Sequence, residues 1–143
     1  MVELLLEHGA NPNYRNALSG VVPIHEAATC MTEEQVEEFD CIIDVLQRYG
    51  GKINIESFTP GDTPLLRAVV HDHPSLATVL LSRGADPNLS ALYSCPVDIL
   101  TLALRQGYIQ LANVLVRGGL DLNRIRIDAN RFLYIFWISK IQW

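Results

Sequence analysis

The chain has no excess of positive charge. Its 143 residues carry 11 Lys and Arg against 16 Asp and Glu, a net charge of −5. Binding to a nucleic-acid backbone depends on basic clusters, so no nucleic-acid partner is expected. Cysteine is scarce and odd in number, at Cys30, Cys41 and Cys95, which fits unpaired thiols in a reducing compartment. Apolar helical surroundings favour Cys30 and Cys41 as inert small hydrophobes rather than redox groups. The start, Met1-Val2-Glu3-Leu4, lacks a basic segment and a cleavage site, so a cytoplasmic or nuclear location is expected. The densest apolar run, Phe132 to Ile138, is far shorter than the roughly 20 residues a membrane span needs, and Lys140 interrupts its extension.

Catalytic machinery is missing as well. Gly50-Gly51 ends a helical stretch, whereas a phosphate-binding loop begins one and carries Lys before Ser or Thr. There is no Gly-x-Ser-x-Gly elbow. His71-Asp72-His73 invites a metal reading, but no Cys or carboxylate is spaced to complete a tetrahedral site. The expectation is a non-enzyme with no cofactor and no metal.

What the chain does have is one pattern four times over. An amphipathic helical run ends in Gly, and a turn closes on Asn four residues later: Gly9 to Asn13, Gly50 to Asn54, Gly84 to Asn88 and Gly119 to Asn123. Self-similarity at a period near 33 residues marks a stacked array, because one helix pair cannot hide its apolar stripe alone. Apolar content of 49% with 19% charged residues is that of a folded domain. The closing Gly suits a left-handed helix end, where a Cβ would cost energy. Asn11, Pro12, Asp86 and Pro87 then reverse the chain. On one of the runs before Gly, the residues Ile42, Val45, Leu46 and Tyr49 form the stripe to bury.

The words between these marks carry a resemblance. Val22-Pro23-Ile24-His25-Glu26-Ala27-Ala28 and Thr63-Pro64-Leu65-Leu66-Arg67-Ala68-Val69 resemble the Thr-Pro-Leu-His-x-Ala-Ala word of ankyrin repeats. Asp98 to Leu104 is a weaker copy, and Gly107-Tyr108 stands where the family has Gly-His. Only His25 keeps the family's His, and the third copy has lost its Pro. Pro fits the first helical turn, where its missing N–H has no partner, and Thr63 can cap that turn. The resemblance implies an all-α ankyrin-repeat solenoid of stacked helix-turn-helix units with projecting turns, over residues 1–123. Its parts are a half repeat at 1–13 and full repeats at about 14–54, 55–88 and 89–123, followed by an apolar tail at 124–143. That tail is either an element packed on the last repeat or a docking segment. Met1 falls inside a second helix in this register, so the chain is expected to be a fragment, an alternative product or a piece of a longer array.

The first full repeat is the longest, and its surplus lies at 31–40. Thr32 and Gln35 stand in capping-box spacing there. The segment reads either as a lengthened second helix with a solvated acidic face or as an acidic edge for a basic partner.

The resemblance further implies a protein-binding module that uses turn tips and the concave face of the first helices. Matched position by position, the projecting turn residues are Arg15, Glu56, Phe58, Asp62, Ser90, Leu92 and Tyr93. The exposed ends of first helices are Thr29, Val70, His71, Arg105 and Gln106. Phe58, Tyr93, Arg15 and Arg105 lead as energetic anchors, since aromatics and Arg dominate interfaces. The implied partner is another protein, with self-association through the uncapped apolar ends, from Leu4, Leu5 and Leu6 at one end and the tail at the other. Two alternatives stand beside this reading. One is a substrate-recognition fragment of a ubiquitin-ligase receptor, similar to ankyrin and SOCS-box proteins but without a recognisable box. The other is the regulatory flank of a larger enzyme.

Overall fold

A computed structural model describes residues 1–89 and 98–124. Among them are seven α-helices and no strand: α1 (Val2–Glu7), α2 (Pro23–Cys30), α3 (Val36–Arg48), α4 (Pro64–Val70), α5 (Pro74–Ser82), α6 (Ile99–Gln106) and α7 (Ile109–Arg117). The fold is an all-α ankyrin solenoid. Helices α2, α4 and α6 pack side by side as an inner row, while α1, α3, α5 and α7 form an outer row.

Local chemistry fixes where each inner helix begins. Thr63 accepts a hydrogen bond from the Leu66 N–H through its hydroxyl at 3.2 Å, with Pro64 in the first turn. In α6, where the Pro is gone, Asp98 takes over and accepts from the Thr101 N–H at 2.8 Å. Between the helices of a pair the chain turns through a left-handed residue, Asp72 (φ 56°) in one pair and Gly107 (φ 78°) in the next. An Asp at that point accepts a strain that Gly avoids.

The rows share one continuous core. Ala28, Ala68 and Ala103 are wholly buried and let the inner helices approach closely. Phe39 and Ile43 of α3, Leu76 and Leu80 of α5, and Leu111 and Leu115 of α7 fill the space between rows. On α3 the buried stripe is Phe39, Ile43 and Leu46, rather than the expected Ile42, Val45, Leu46 and Tyr49. Ile42 and Val45 are only partly buried and Tyr49 is exposed, because α3 turns its Phe39 edge toward the core.

The recurring Asn is the strap between repeats. Asn13 donates through Nδ2 to the Gly50 carbonyl at 2.9 Å and accepts from the Lys52 N–H at 2.8 Å. Asn54 does the same to Gly84 (3.1 Å) and Asp86 (2.9 Å), and Asn88 to Gly119 (3.3 Å) and Asp121 (2.8 Å). Each amide therefore satisfies one carbonyl and one N–H of the following turn. The receiving glycines hold φ between 85° and 98°, which keeps those two backbone groups aimed the same way in every copy.

Charge adds a second, weaker tie along the outer row. Arg83 reaches Asp40 at 2.8 Å and Asp44 at 2.7 Å, and Arg48 reaches Asp44 at 3.0 Å and Glu3 at 3.2 Å. The Asp44 carboxyl lies below its ordinary range because Arg83 and then Arg48 donate to it. Such exposed pairs contribute little individually.

The long first repeat uses its insertion structurally. Thr32 N–H donates to Gln35 Oε1 at 3.1 Å, opening a 3-10 turn at Glu33–Gln35 that leads into α3. Glu33 then accepts the Ser75 N–H at 3.0 and 3.2 Å, supplying from one repeat the cap that His73 does not give to α5 in the next. Glu33 and Asp40 are thus spent inside the molecule, and Glu34, Glu37 and Glu38 remain exposed.

Replacing Asn54 with alanine removes both strap bonds at one joint. At roughly 0.5–1.5 kcal/mol per bond, the loss is about 1–3 kcal/mol. Urea unfolding of the Asn54→Ala chain is expected to show it; a midpoint equal to that of the parent would refute the strap's role.

Candidate functional site

Two projecting turns precede α2 and α4, and the structure ties their tips together. The first tip folds on Asn16, whose Oδ1 accepts from the Leu18 N–H at 2.9 Å and whose carbonyl accepts from the Gly20 N–H at 2.8 Å. Phe58, from the second tip, donates its N–H to the Ser19 carbonyl at 3.1 Å. Arg15 Nη1 donates to the Glu56 carbonyl at 2.7 Å, and its guanidinium lies 5.9 Å from the centroid of the Phe58 ring. A Cβ on Gly20 would run into the Phe58 ring and its N–H, and Gly20 has φ 69°, so only glycine lets Phe58 come this close there.

Large apolar side chains stand exposed on these tips and, at Tyr14, on the turn that leads into the first of them. Leu18 is 94% exposed, Tyr14 65% and Phe58 58%. Arg15 has no carboxylate partner among the described residues, so its charge is available at the rim. Arg15 and Phe58 were expected on the sequence and stand together. Leu18 and Tyr14 were not. Leu18 follows Asn16 in a tight turn, and a leucine at a turn tip with no helical partner was a readable signal.

Asp62 is a correction. It was expected to project, yet it is 6% exposed. Its carboxylate receives a fork from Arg67, Nε at 2.6 Å and Nη2 at 2.7 Å, and the Ser57 hydroxyl at 2.6 Å. Burial pushes this carboxyl up, but Arg67 and Ser57 outweigh that and hold it below its ordinary value. The Asp62 carbonyl meets His25 Nε2 at 2.9 Å, joining the second turn to α2 of the preceding repeat. A carbonyl only accepts, so Nε2 carries the hydrogen; Nδ1, facing the Val22 N–H at 3.5 Å, carries the lone pair. His25 is wholly buried and neutral in this arrangement, and burial lowers its pKa.

The other expected residues lie elsewhere. Val70 and His71 end α4, and Arg105 and Gln106 end α6, all exposed. These sit at the far ends of their helices; in α4, whose near end follows the second tip, seven residues separate the two groups by about 10 Å. Thr29 is half-buried, with its hydroxyl donating back to the His25 carbonyl at 2.9 Å. His71 and His73 stack with centroids 6.2 Å apart, and His73 Nδ1 is 3.8 Å from Glu33. No cluster of His, Cys, Asp and Glu among the described residues is arranged to hold a metal. Glu56 is half-buried and joins the tip through its backbone. Cys30 and Cys41 are exposed, contrary to the expectation of apolar burial, because each occupies the solvent side of its helix. Ser90, Leu92, Tyr93, Cys95 and the tail from 125 onward lie outside the described residues.

The His25–Asp62 joint makes stability fall with acid. A histidine kept neutral by the fold is protonated first in the unfolded chain, so stability is lost as pH drops below about 6.5. Asp62 has a lowered folded pKa, so its contribution is present above about pH 4 and lost as pH falls through the folded value. Thermal unfolding is expected to show a melting temperature that declines from pH 7 to pH 5 and a flatter slope in His25→Gln. A parent chain insensitive to pH over that range would contradict the assignment.

The comparisons with known proteins agree with this architecture. No curated protein matches the chain. Among the described residues, no helix is long and apolar enough to cross a membrane. The family pattern for ankyrin repeats matches residues 1–91 in three copies, and gives no support to a SOCS-box likeness. Ankyrin repeats are in general modules for binding other proteins. With the matched region covering more than half of its length, and with paired helices, capped first turns and projecting tips in the same register, the chain belongs to the ankyrin-repeat family.

Proposed function

We propose that this chain is a non-catalytic protein-binding module whose primary contact surface is the braced pair of turn tips. The observation that supports it is the exposure of Leu18, Tyr14 and Phe58 on or beside turns that hydrogen bonds tie to one another. Large apolar side chains in water contribute nothing to the solenoid's own core, and their placement on a fixed support lowers the ordering cost of binding. Aromatic and Arg residues are the usual anchors of an interface. The surface suits a partner segment that offers apolar side chains beside an acidic group, the latter placed for Arg15.

The ends of the inner helices form a second, more polar zone at Val70, His71, Arg105 and Gln106. A partner long enough to run down the inner row, about 10 Å beyond the tips, would meet both zones. The primary reading requires only the tips.

Affinity capture should separate these roles. Leu18→Ser and Phe58→Ala are expected to weaken recovery of the parent chain's partners about tenfold or more, as loss of an anchor does. The melting temperature of Leu18→Ser should stay close to that of the parent, since Leu18 is 94% exposed, and that of Phe58→Ala should fall only slightly, through the lost contact of its ring with Gly20 and Arg15. Full recovery of every partner by both variants would move the site away from the tips.

A further inference from the structure

Two threonines in the sequence stand directly before a proline, at Thr59-Pro60 and Thr63-Pro64. Proline carries no N–H, and one class of protein kinase, the proline-directed class, requires such a residue directly after the hydroxyl it phosphorylates. By sequence the two pairs are equal candidates. The fold separates them.

Thr63 is 2% exposed. Its hydroxyl accepts from the Leu66 N–H at 3.2 Å and so caps α4, with Pro64 as the first residue of that helix. A phosphate there would require the first turn of α4 to unwind, beside the buried joint of Asp62, Ser57 and Arg67. Thr59 stands on the second tip and is exposed, as is Pro60. Its N–H donates to the Ser57 hydroxyl at 3.0 Å. Its carbonyl accepts from the Asp62 N–H at 3.1 Å, closing a turn through Pro60 and Gly61 (φ 78°). The Thr59 hydroxyl itself has no hydrogen-bond partner among the described residues. It caps no helix, so a group attached to it displaces nothing. The bond that closes the turn lies wholly within the tip, so the segment can open into a kinase cleft without disturbing a helix.

What a phosphate would do there follows from its neighbours. Phe58, the preceding residue, is 58% exposed, and its ring lies 5.9 Å from the Arg15 guanidinium. Arg15 donates to the Glu56 and Gly20 carbonyls and meets no carboxylate among the described residues. A phosphothreonine carries a charge of about −1.5 to −2 near neutral pH. On the residue next to Phe58 that charge outweighs the single positive charge of Arg15 and repels the acidic group of a partner.

We propose that Thr59 is the acceptor of a proline-directed protein kinase, and that its phosphate closes the tips to an acidic partner. In the transfer, Thr59 Oγ1 forms a bond to the γ-phosphorus of a nucleoside triphosphate. The bond from that phosphorus to the β,γ-bridging oxygen breaks, the nucleoside diphosphate leaves, and the hydroxyl proton passes to a carboxylate of the kinase. The acceptor role stands on the turn alone, whereas the effect on binding rests on the functional reading above.

Incubation of the folded full chain with a purified proline-directed kinase, magnesium and ATP tests the acceptor, with the modified residue located by mass spectrometry. A single phosphate is expected, on Thr59 and not on Thr63, and Thr59→Ala should take up none. A chain left unmodified at Thr59, or one modified equally at Thr63, would overturn the acceptor role. Partner capture then compares the phosphorylated chain with kinase-treated Thr59→Ala. The phosphorylated chain is expected to lose, by about tenfold or more, the partners that Leu18→Ser and Phe58→Ala lose, while Thr59→Ala keeps them. Undiminished recovery by the phosphorylated chain would overturn the effect on binding and leave the tip reading intact. Full recovery by Leu18→Ser and Phe58→Ala would instead sink the tip reading, and with it the effect on binding but not the acceptor.

Discussion

Everything in this solenoid depends on burying a stripe that no single helix pair can hide. An outer helix such as α5 places Leu76, Ala77 and Leu80 against neighbours on both sides, and all three are wholly buried. The hydrophobic term is non-directional and would tolerate some sliding between repeats. The asparagine straps remove that freedom. By engaging one carbonyl and one N–H of the next turn, each fixes the spacing and rotation of a repeat relative to the one before it. The left-handed glycine at each turn is the condition for this, because it presents those two backbone groups in a constant direction.

With the spine fixed in this way, the tips of the turns before α2 and α4 stand outside the hydrophobic core, while Val22 at the base of the first is buried in it. They still need internal order, and the molecule supplies it with polar bonds. Asn16 closes the first tip, Phe58 N–H bridges to Ser19, and Arg15 spans to the Glu56 carbonyl. Below them, Asp62 gathers Arg67, Ser57 and His25 into one buried joint between the second turn and α2. This layer of hydrogen bonds does for the tips what apolar packing does for the helices. It also explains why large apolar side chains can stand in water there without collapsing the turn.

The fold was legible in the sequence because its signals are local and repeated. Proline in a first turn, Thr63 as a cap and glycine at a helix end each have a backbone reason that holds wherever they occur. Arg15 and Phe58 were legible for the same cause, since register alone placed them on the tips. Asp62 was not, because an acidic residue in a turn can either project or fold back. The decision rests with Arg67, five residues on and one helical turn inside α4, together with Ser57. Glu33 is a similar case: its role as the cap of α5 needs a contact across 42 residues that no local pattern announces. The buried stripe of α3 was misread by one face, since Ile42, Val45 and Tyr49 keep helical spacing as well as Phe39, Ile43 and Leu46 do. Neighbouring helices, not period, choose between them.

The same contrast explains where function can sit on such a chain. Substitutions in the straps or the stripe alter the joint between repeats, and through it the relative placement of every tip. Substitutions at Leu18 or Tyr14 alter only what a turn offers, whereas Phe58, whose ring also lies against Gly20 and beside Arg15 of the preceding repeat, would lose a contact between the tips as well. A solenoid of this kind therefore separates the residues that set geometry from those proposed to meet a partner. The joint formed by His25 and Asp62 is the point where the two sets touch. It ties the second turn to α2 of the preceding repeat, so acid that weakens it should loosen the support of the proposed binding surface before it dissolves the helical core.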